Sequence, residues 1–151
     1  MERAAGGGVE LRLGNEERAL LLGLAAELRA LLDGEPGDPS LRRLFPPAYE
    51  DEADERGYRD LAGESLLEGR REALELLSRT ADRQRLTPEE ADAWLRALND
   101  LRLVLGTRLD VEEDTFAEEP DLTTPRGHAL AVYGYLSWLQ EQLVAALAPE
   151  G

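Results

Sequence analysis

The apolar content of this chain is carried by leucine. Isoleucine is absent, valine is sparse and aromatics make up only 5% of the residues. Strands favour β-branched and aromatic side chains, which pack well on a pleated surface. Leucine, alanine, glutamate and arginine lose little freedom in a helix and are strong helix formers. The expectation is an all-α or nearly all-α fold, a compact bundle of about four to five helices. A length of 151 residues fits one helical domain over 9–148. Residues 1–8, with Gly6, Gly7 and Gly8, read as a flexible tail, and 149–151 as a C-terminal tail.

Local punctuation divides the leucine pattern. Asn15 reads as an N-cap with Glu16 and Glu17 in the first turn, opening a helix to about Asp33 that Gly34 ends. Its inward stripe would be Leu21, Leu24, Leu28, Leu31 and Leu32. Asp38-Pro39 opens a short helix to about Leu44, broken by Pro46-Pro47. Tyr49 to Gly57 reads as an acidic loop or frayed start, and a longer helix covers roughly Arg59 to Arg83. There Leu66, Leu67, Ala73, Leu74 and Leu77 would face inward. Thr87-Pro88-Glu89-Glu90 combines a cap, a proline in the first turn and a capping-box glutamate, opening a helix to about Leu109. Glu112 to Asp121 reads as an acidic loop. Thr124-Pro125 repeats the cap-plus-proline device before a last helix to about Leu147.

An internal similarity cuts across these elements. Leu13 to Leu32 aligns on Leu86 to Leu105 without a gap, matching Leu13, Glu16, Glu17, Leu22, Leu28, Arg29 and Leu32 to Leu86, Glu89, Glu90, Leu95, Leu101, Arg102 and Leu105. Leucine-rich amphipathic helices resemble one another in any case. The sharper reading is a pseudo-symmetric pair whose lead-ins, 9–13 and 83–86, form a minimal two-stranded β ribbon.

Seventeen basic residues, all arginine, face 32 acidic ones for a net charge of -15. Such a charge repels polyanions, and gripping a DNA backbone requires cations against the phosphates. A basic protein partner is easier to accommodate. Arg70, Arg71, Arg79, Arg83 and Arg85 form the densest arginine stretch and are the candidate phosphate-contacting patch. Their other reading is stabilisation of a helix C-terminus. There is no cysteine, so this chain has no disulfide, thiolate metal site or thiol switch. The N-terminus lacks the apolar core of a signal peptide and no apolar run approaches a membrane span, so a cytoplasmic, membrane-free protein is expected.

Catalytic signatures are missing. His128 is the single histidine and cannot build a histidine-rich metal site. No phosphate-binding glycine loop or dinucleotide fingerprint is present. The acidic clusters Glu50–Glu55 and Glu112–Asp121 lack calcium-loop spacing and read as solvated segments. No enzyme activity, cofactor or metal is expected. The unusual run is Trp94 to Leu109, where Leu95, Leu98, Arg102, Leu105 and Leu109 share one face. Arg102 in that stripe needs a carboxylate or free carbonyls, and Asn99 poses the same problem on a smaller scale. Asn99, Asp100, Arg102, Arg108, Trp94, Trp138 and Gln140 are therefore the candidate polar network, either structural or a socket for a partner. Trp94 and Trp138 read as core between the last two helices, with Trp138 alternatively an exposed interface anchor. Gly106 suggests a close helix approach with Gly134 opposite, or an early helix end.

The run WLRALNDLRLVLGTRL at Trp94–Leu109 resembles the signature of the AosR-like family of actinobacteria, and Tyr135-Leu136-Ser137-Trp138-Leu139-Gln140-Glu141-Gln142-Leu143-Val144 is similar to its second segment. Leu44-Phe45-Pro46-Pro47-Ala48-Tyr49 falls in the matching order between them and the N-terminal helix. The resemblance implies a transcriptional regulator of the oxidative-stress response that acts with an alternative sigma factor and RNA polymerase on cysteine-biosynthesis genes. It also implies, for some members, oxidation sensing through a cysteine pair, from which this chain departs. Three roles stay open, in this order: an adaptor on a basic protein partner, a direct DNA binder, and an enzyme or small-molecule-binding bundle. Homo-oligomerisation is open as well.

Overall fold

The computed structural model describes residues 2–3, 7–34, 54–109 and 121–148. The expected short helix near 38–44 and most of the two acidic clusters lie outside these residues. Among the described residues the order is β1 (Glu2–Arg3), β2 (Val9–Glu10), α1 (Asn15–Asp33), α2 (Asp54–Thr80), β3 (Arg85–Leu86), α3 (Pro88–Leu109) and α4 (Pro125–Leu147). This is the nearly all-α bundle with a minimal sheet that composition implies.

The starts of α1, α3 and α4 follow the punctuation closely, whereas α2 begins at Asp54, inside the segment expected as a loop or frayed start, and ends at Thr80 rather than near Arg83. The α1 helix starts one residue earlier than expected, with Gly14 as N-cap, and the Glu17 carboxylate accepts the Gly14 N–H at 3.3 Å. At α3 the capping box closes in both directions. Glu90 N donates to Thr87 Oγ1 at 3.2 Å, and Thr87 N donates to Glu90 Oε1 at 2.9 Å. The Thr87 N–H first, then the Thr87 hydroxyl and Arg83, hold the Glu90 carboxyl below its ordinary range. At α4, Thr124 Oγ1 accepts from Gly127 N at 2.9 Å and Pro125 opens the helix. A Cβ on Gly127 would run into the backbone of Asp121, so this turn admits only glycine.

The lead-ins meet. Val9 and Glu10 pair antiparallel with Leu86 and Arg85, and Leu11 N donates to Gln84 O at 2.8 Å. The ribbon expected of a pseudo-symmetric pair is present. Gly8 sits so close to the Leu86 carbonyl that a Cβ would collide with it. Glu2 and Arg3, read from sequence as tail, add a strand on the other side of β2, giving the order β1-β2-β3. A glycine run separates two pairing segments here, so low local complexity did not mean a free end.

The helices pack in chain order, α1 on α2, α2 on α3 and α3 on α4, with the small sheet against α3 and α4. Leu21, Leu28, Leu74, Leu77, Leu86, Trp94, Leu98, Leu136, Leu139 and Leu143 form the buried core. Helix α3 lies between two neighbours, so its buried arc is wide and takes in Ala91, Trp94, Ala97, Leu98, Leu101 and Val104. Gly106 lies inside α3 and is buried, so the helix does not end there. Gly134 is no counterpart to it, because among the described residues nothing approaches within 4 Å of where its Cβ would sit.

Candidate functional site

The buried polar chemistry of α3 belongs to Asp100, not to Arg102. Asp100 is 2% exposed and its carboxylate is bound by the Arg70 guanidinium from α2. Burial raises its pKa, and the hydrogen bond and charge of Arg70 oppose that rise. Asn99 and Arg102 sit at the border of the buried arc, half-buried, and Arg108 is exposed. The physical reason is the phase of the helix: packing on both α2 and α4 centres the buried arc on Trp94, Leu98 and Leu101, which moves Arg102 to one edge and Asp100 to the other. Trp94 is fully buried and donates its indole N–H to Thr80 Oγ1 at 2.7 Å. Thr80 Oγ1 in turn donates to Leu76 O at 2.7 Å, so both polar atoms are satisfied. The structure therefore splits the expected network. Asp100 and Trp94 join α2 by separate bonds, and among the described residues Asn99, Arg102, Arg108, Trp138 and Gln140 join neither. Gln140 Oε1 is buried without a hydrogen-bond partner among the described residues.

The task expected of Arg102, binding a helix C-terminus, is performed by arginines the sequence reading passed over. Arg18 of α1 donates to Leu13 O at 3.1 Å, to Arg83 O at 3.0 Å and to Ala81 O. It thereby ties the α1 lead-in to the chain leaving α2, where unpaired carbonyls favour a cation. Arg126 does the same for α3, donating to Leu109 O at 2.7 Å. No sequence spacing links Arg18 to Ala81; the packing of α1 on α2 and the ribbon bring them together.

Four of the five arginines in the stretch are paired with separate carboxylates. Arg70 holds Asp100, Arg71 pairs with Asp33 at 2.6 Å, Arg83 with Glu90 at 2.6 Å and Arg85 with Glu10 at 3.3 Å. Arg79 is exposed near the end of α2. The fold thus spreads the stretch over α1, the ribbon and α3, each contact taking one carboxylate.

Trp138 is the other departure from a core role. It is 50% exposed on α4, stacked at a tilt against Tyr135 with ring centroids 6.1 Å apart. Tyr135 in turn donates its hydroxyl to Glu17 Oε2 of α1 at 2.5 Å. Burial, and then Glu17, push the Tyr135 phenol far above its ordinary value, so it stays a protonated donor. Among the described residues no group of acidic or histidine side chains is arranged to hold a metal ion. No helix among them is long and apolar enough to cross a membrane.

Comparison with known proteins places the sequence in a family. The family described as Domain of unknown function (DUF2017) matches residues 1–147. The putative oxidative stress regulator AosR of Mycobacterium leprae is 35% identical over 134 residues, covering 74% of this chain and 59% of that protein. The oxidative stress regulators AosR of Mycobacterium bovis and Mycobacterium tuberculosis match at the same 35% identity and the same coverage, 74% of this chain and 59% of theirs. The chain thus spans about three-fifths of the length of these curated relatives, 59% of each. No solved structure shows a significant match.

Proposed function

This chain belongs to the DUF2017 family, and on that premise we propose that it is a non-enzymatic regulatory adaptor of the oxidative-stress response. It acts by contact with a basic surface of the transcription machinery, a sigma factor or RNA polymerase, in the cytoplasm. The observation that carries this reading is the 35% identity to proteins named oxidative stress regulators. The net charge of -15 supports a basic protein partner over a nucleic acid. The pairing of Arg70, Arg71, Arg83 and Arg85 with carboxylates supports it further, because these cations are already engaged. With no cysteine in the chain, the proposed trigger is not a thiol switch within it.

The test is retention of purified sigma factors and RNA polymerase on the immobilised chain at moderate salt. Saturable binding whose on-rate falls with added salt is expected. Absence of any retained sigma factor or polymerase, with a properly folded bait, removes the adaptor reading. A gel shift on duplex DNA by the chain alone at low salt would favour a direct DNA binder in its place.

A further inference from the structure

The outward face of α4 is depleted of charge where a solvated helix face is ordinarily rich in it. Gly134, Trp138, Glu141 and Ala145 recur at three- and four-residue spacings and share one side of the helix. Trp138 is 50% exposed and Val144, on the flank, is 52% exposed. A tryptophan standing half out of the surface is a large apolar group held in place by its stack on Tyr135, and that ring is fixed by Glu17. The indole is therefore pre-positioned, which lowers the cost of using it in an interface.

Gly134 adds an independent observation. It lies mid-helix, where glycine costs about 1 kcal/mol relative to alanine. Nothing approaches its Cβ position, so no packing among the described residues requires the glycine. A bare stretch of helix beside Trp138 lets another backbone come close. Carboxylates stand on and behind this face: Glu141 on α4 itself, and Glu17, bonded to the Tyr135 that backs Trp138. A second copy of this chain would bring Glu141 against the same carboxylates at a net charge of -15, so self-association is disfavoured here.

We propose that this face of α4 is a docking site for an amphipathic helix of another protein, one that seats an apolar ridge on Trp138 and Gly134 and carries arginine or lysine toward Glu141. The adaptor reading supplies the premise that a protein partner exists, and the surface specifies its chemistry. A basic flank also gains a cation–π contact with the indole.

The test uses a fluorescein-labelled amphipathic leucine–lysine helix and its leucine–glutamate counterpart, titrated with the full chain by polarisation. The basic peptide is expected to bind and the acidic one not. Trp138→Ala is expected to weaken binding by roughly tenfold or more, the size of a hot-spot loss. Gly134→Ala is expected to raise thermal stability while weakening binding, whereas Gly23→Ala, also facing open space in α1, raises stability and leaves binding unchanged. Unchanged affinity in both Trp138→Ala and Gly134→Ala overturns the proposal. So does a dimer in sedimentation that Trp138→Ala dissolves, which would make a second copy the occupant. Shielding of Trp138 from acrylamide in the isolated monomer overturns it too, placing a segment of this chain there. Sigma factor and polymerase retention is scored separately. Retention that survives Trp138→Ala keeps the adaptor and rejects this surface, while peptide binding without such retention keeps the surface and rejects the adaptor.

Discussion

Removing Arg70 and removing Asp100 should have unequal consequences, and the inequality should depend on pH. The Asp100 side chain is 4% exposed and that of Arg70 is 22% exposed. Arg70→Met leaves a carboxylate in the interior, a loss of about 3–5 kcal/mol for one partner of a buried pair. Asp100→Ala leaves a guanidinium that can turn toward water, so about 1–3 kcal/mol is expected. The sign of the pH dependence follows from burial. Burial already raises the Asp100 pKa in the folded chain, with Arg70 opposing the rise. A carboxyl with a raised folded pKa binds its proton more tightly when folded, so stability from this group is greatest in acid and is lost as pH rises through the raised value. Without Arg70 that window widens. The Arg70→Met penalty should therefore shrink on acidification, by up to about 1.4 kcal/mol per pH unit inside the window. Urea unfolding of both variants and the parent at about pH 7 and about pH 5 measures this, with unfolding free energies taken by linear extrapolation. Equal penalties for the two variants, with no change between the two pH values, would refute the assignment of Asp100 as a buried, Arg70-dependent anion.

Other expectations rest on single contacts. Thr87→Ala opens the α3 capping box and should cost about 1 kcal/mol, seen as a fall of roughly 2–4 °C in Tm by calorimetry. Because the Thr87 N–H is the first cause of the lowered Glu90 pKa, Glu90 stabilises the fold above the ordinary carboxylate range and that gain fades as pH falls through the lowered value; Glu90→Gln should flatten this acid limb in pH-dependent unfolding. Thr80→Val strands the buried Trp94 N–H and should cost about 1–3 kcal/mol, with a changed emission maximum from the tryptophan whose indole loses its partner. Gly127→Ala must displace the Asp121 backbone and should lower Tm, in the opposite direction to Gly134→Ala.

The sequence exposed whatever was written in local chemistry. Caps at Thr87 and Thr124 and the prolines after them placed the starts of α3 and α4 where they are found, because a cap satisfies backbone donors within three residues of itself. The ribbon was legible through the alignment of Leu13 on Leu86, since two similar lead-ins that feed two packed helices are brought side by side. The polar network was only half legible. A helix that packs on one neighbour shows a narrow stripe, and its phase can be read from its leucines. Helix α3 packs on two, Ala91, Ala97 and Trp94 are buried with Leu98 and Leu101, and the leucine positions alone put Arg102 nearer the centre than it is. Asp100 was expected in the network, but its partner was not legible, because Arg70 lies thirty residues away on α2. Arg18 and the Tyr135–Glu17 bond were illegible for the same cause, as each joins elements distant in the chain.

The arginine stretch shows what linear density does and does not establish. Between Arg70 and Arg85 the sequence concentrates cations as a phosphate-binding segment would. The fold sends Arg70 and Arg71 toward α3 and α1, and Arg83 and Arg85 toward α3 and β2. The exposed pairs among these are worth only about 0–1 kcal/mol each, so a phosphate that met them could compete for the guanidinium. The pairs alone therefore do not exclude nucleic acid. The decisive quantity is the field around them, which comes from a chain of net charge -15. For an ordinary DNA-binding protein, lowering the salt strengthens binding because released counterions gain entropy. Here lower salt also lengthens the range of the repulsion, from about 8 Å at physiological ionic strength to about 30 Å at 0.01 M. Duplex DNA should thus fail to shift with this chain alone even at low salt, and should be recruited only when a basic protein stands between the two. A shift by the isolated chain that weakens as salt is added would mean that its arginines form a cationic surface after all, and the partner would have to be sought among nucleic acids.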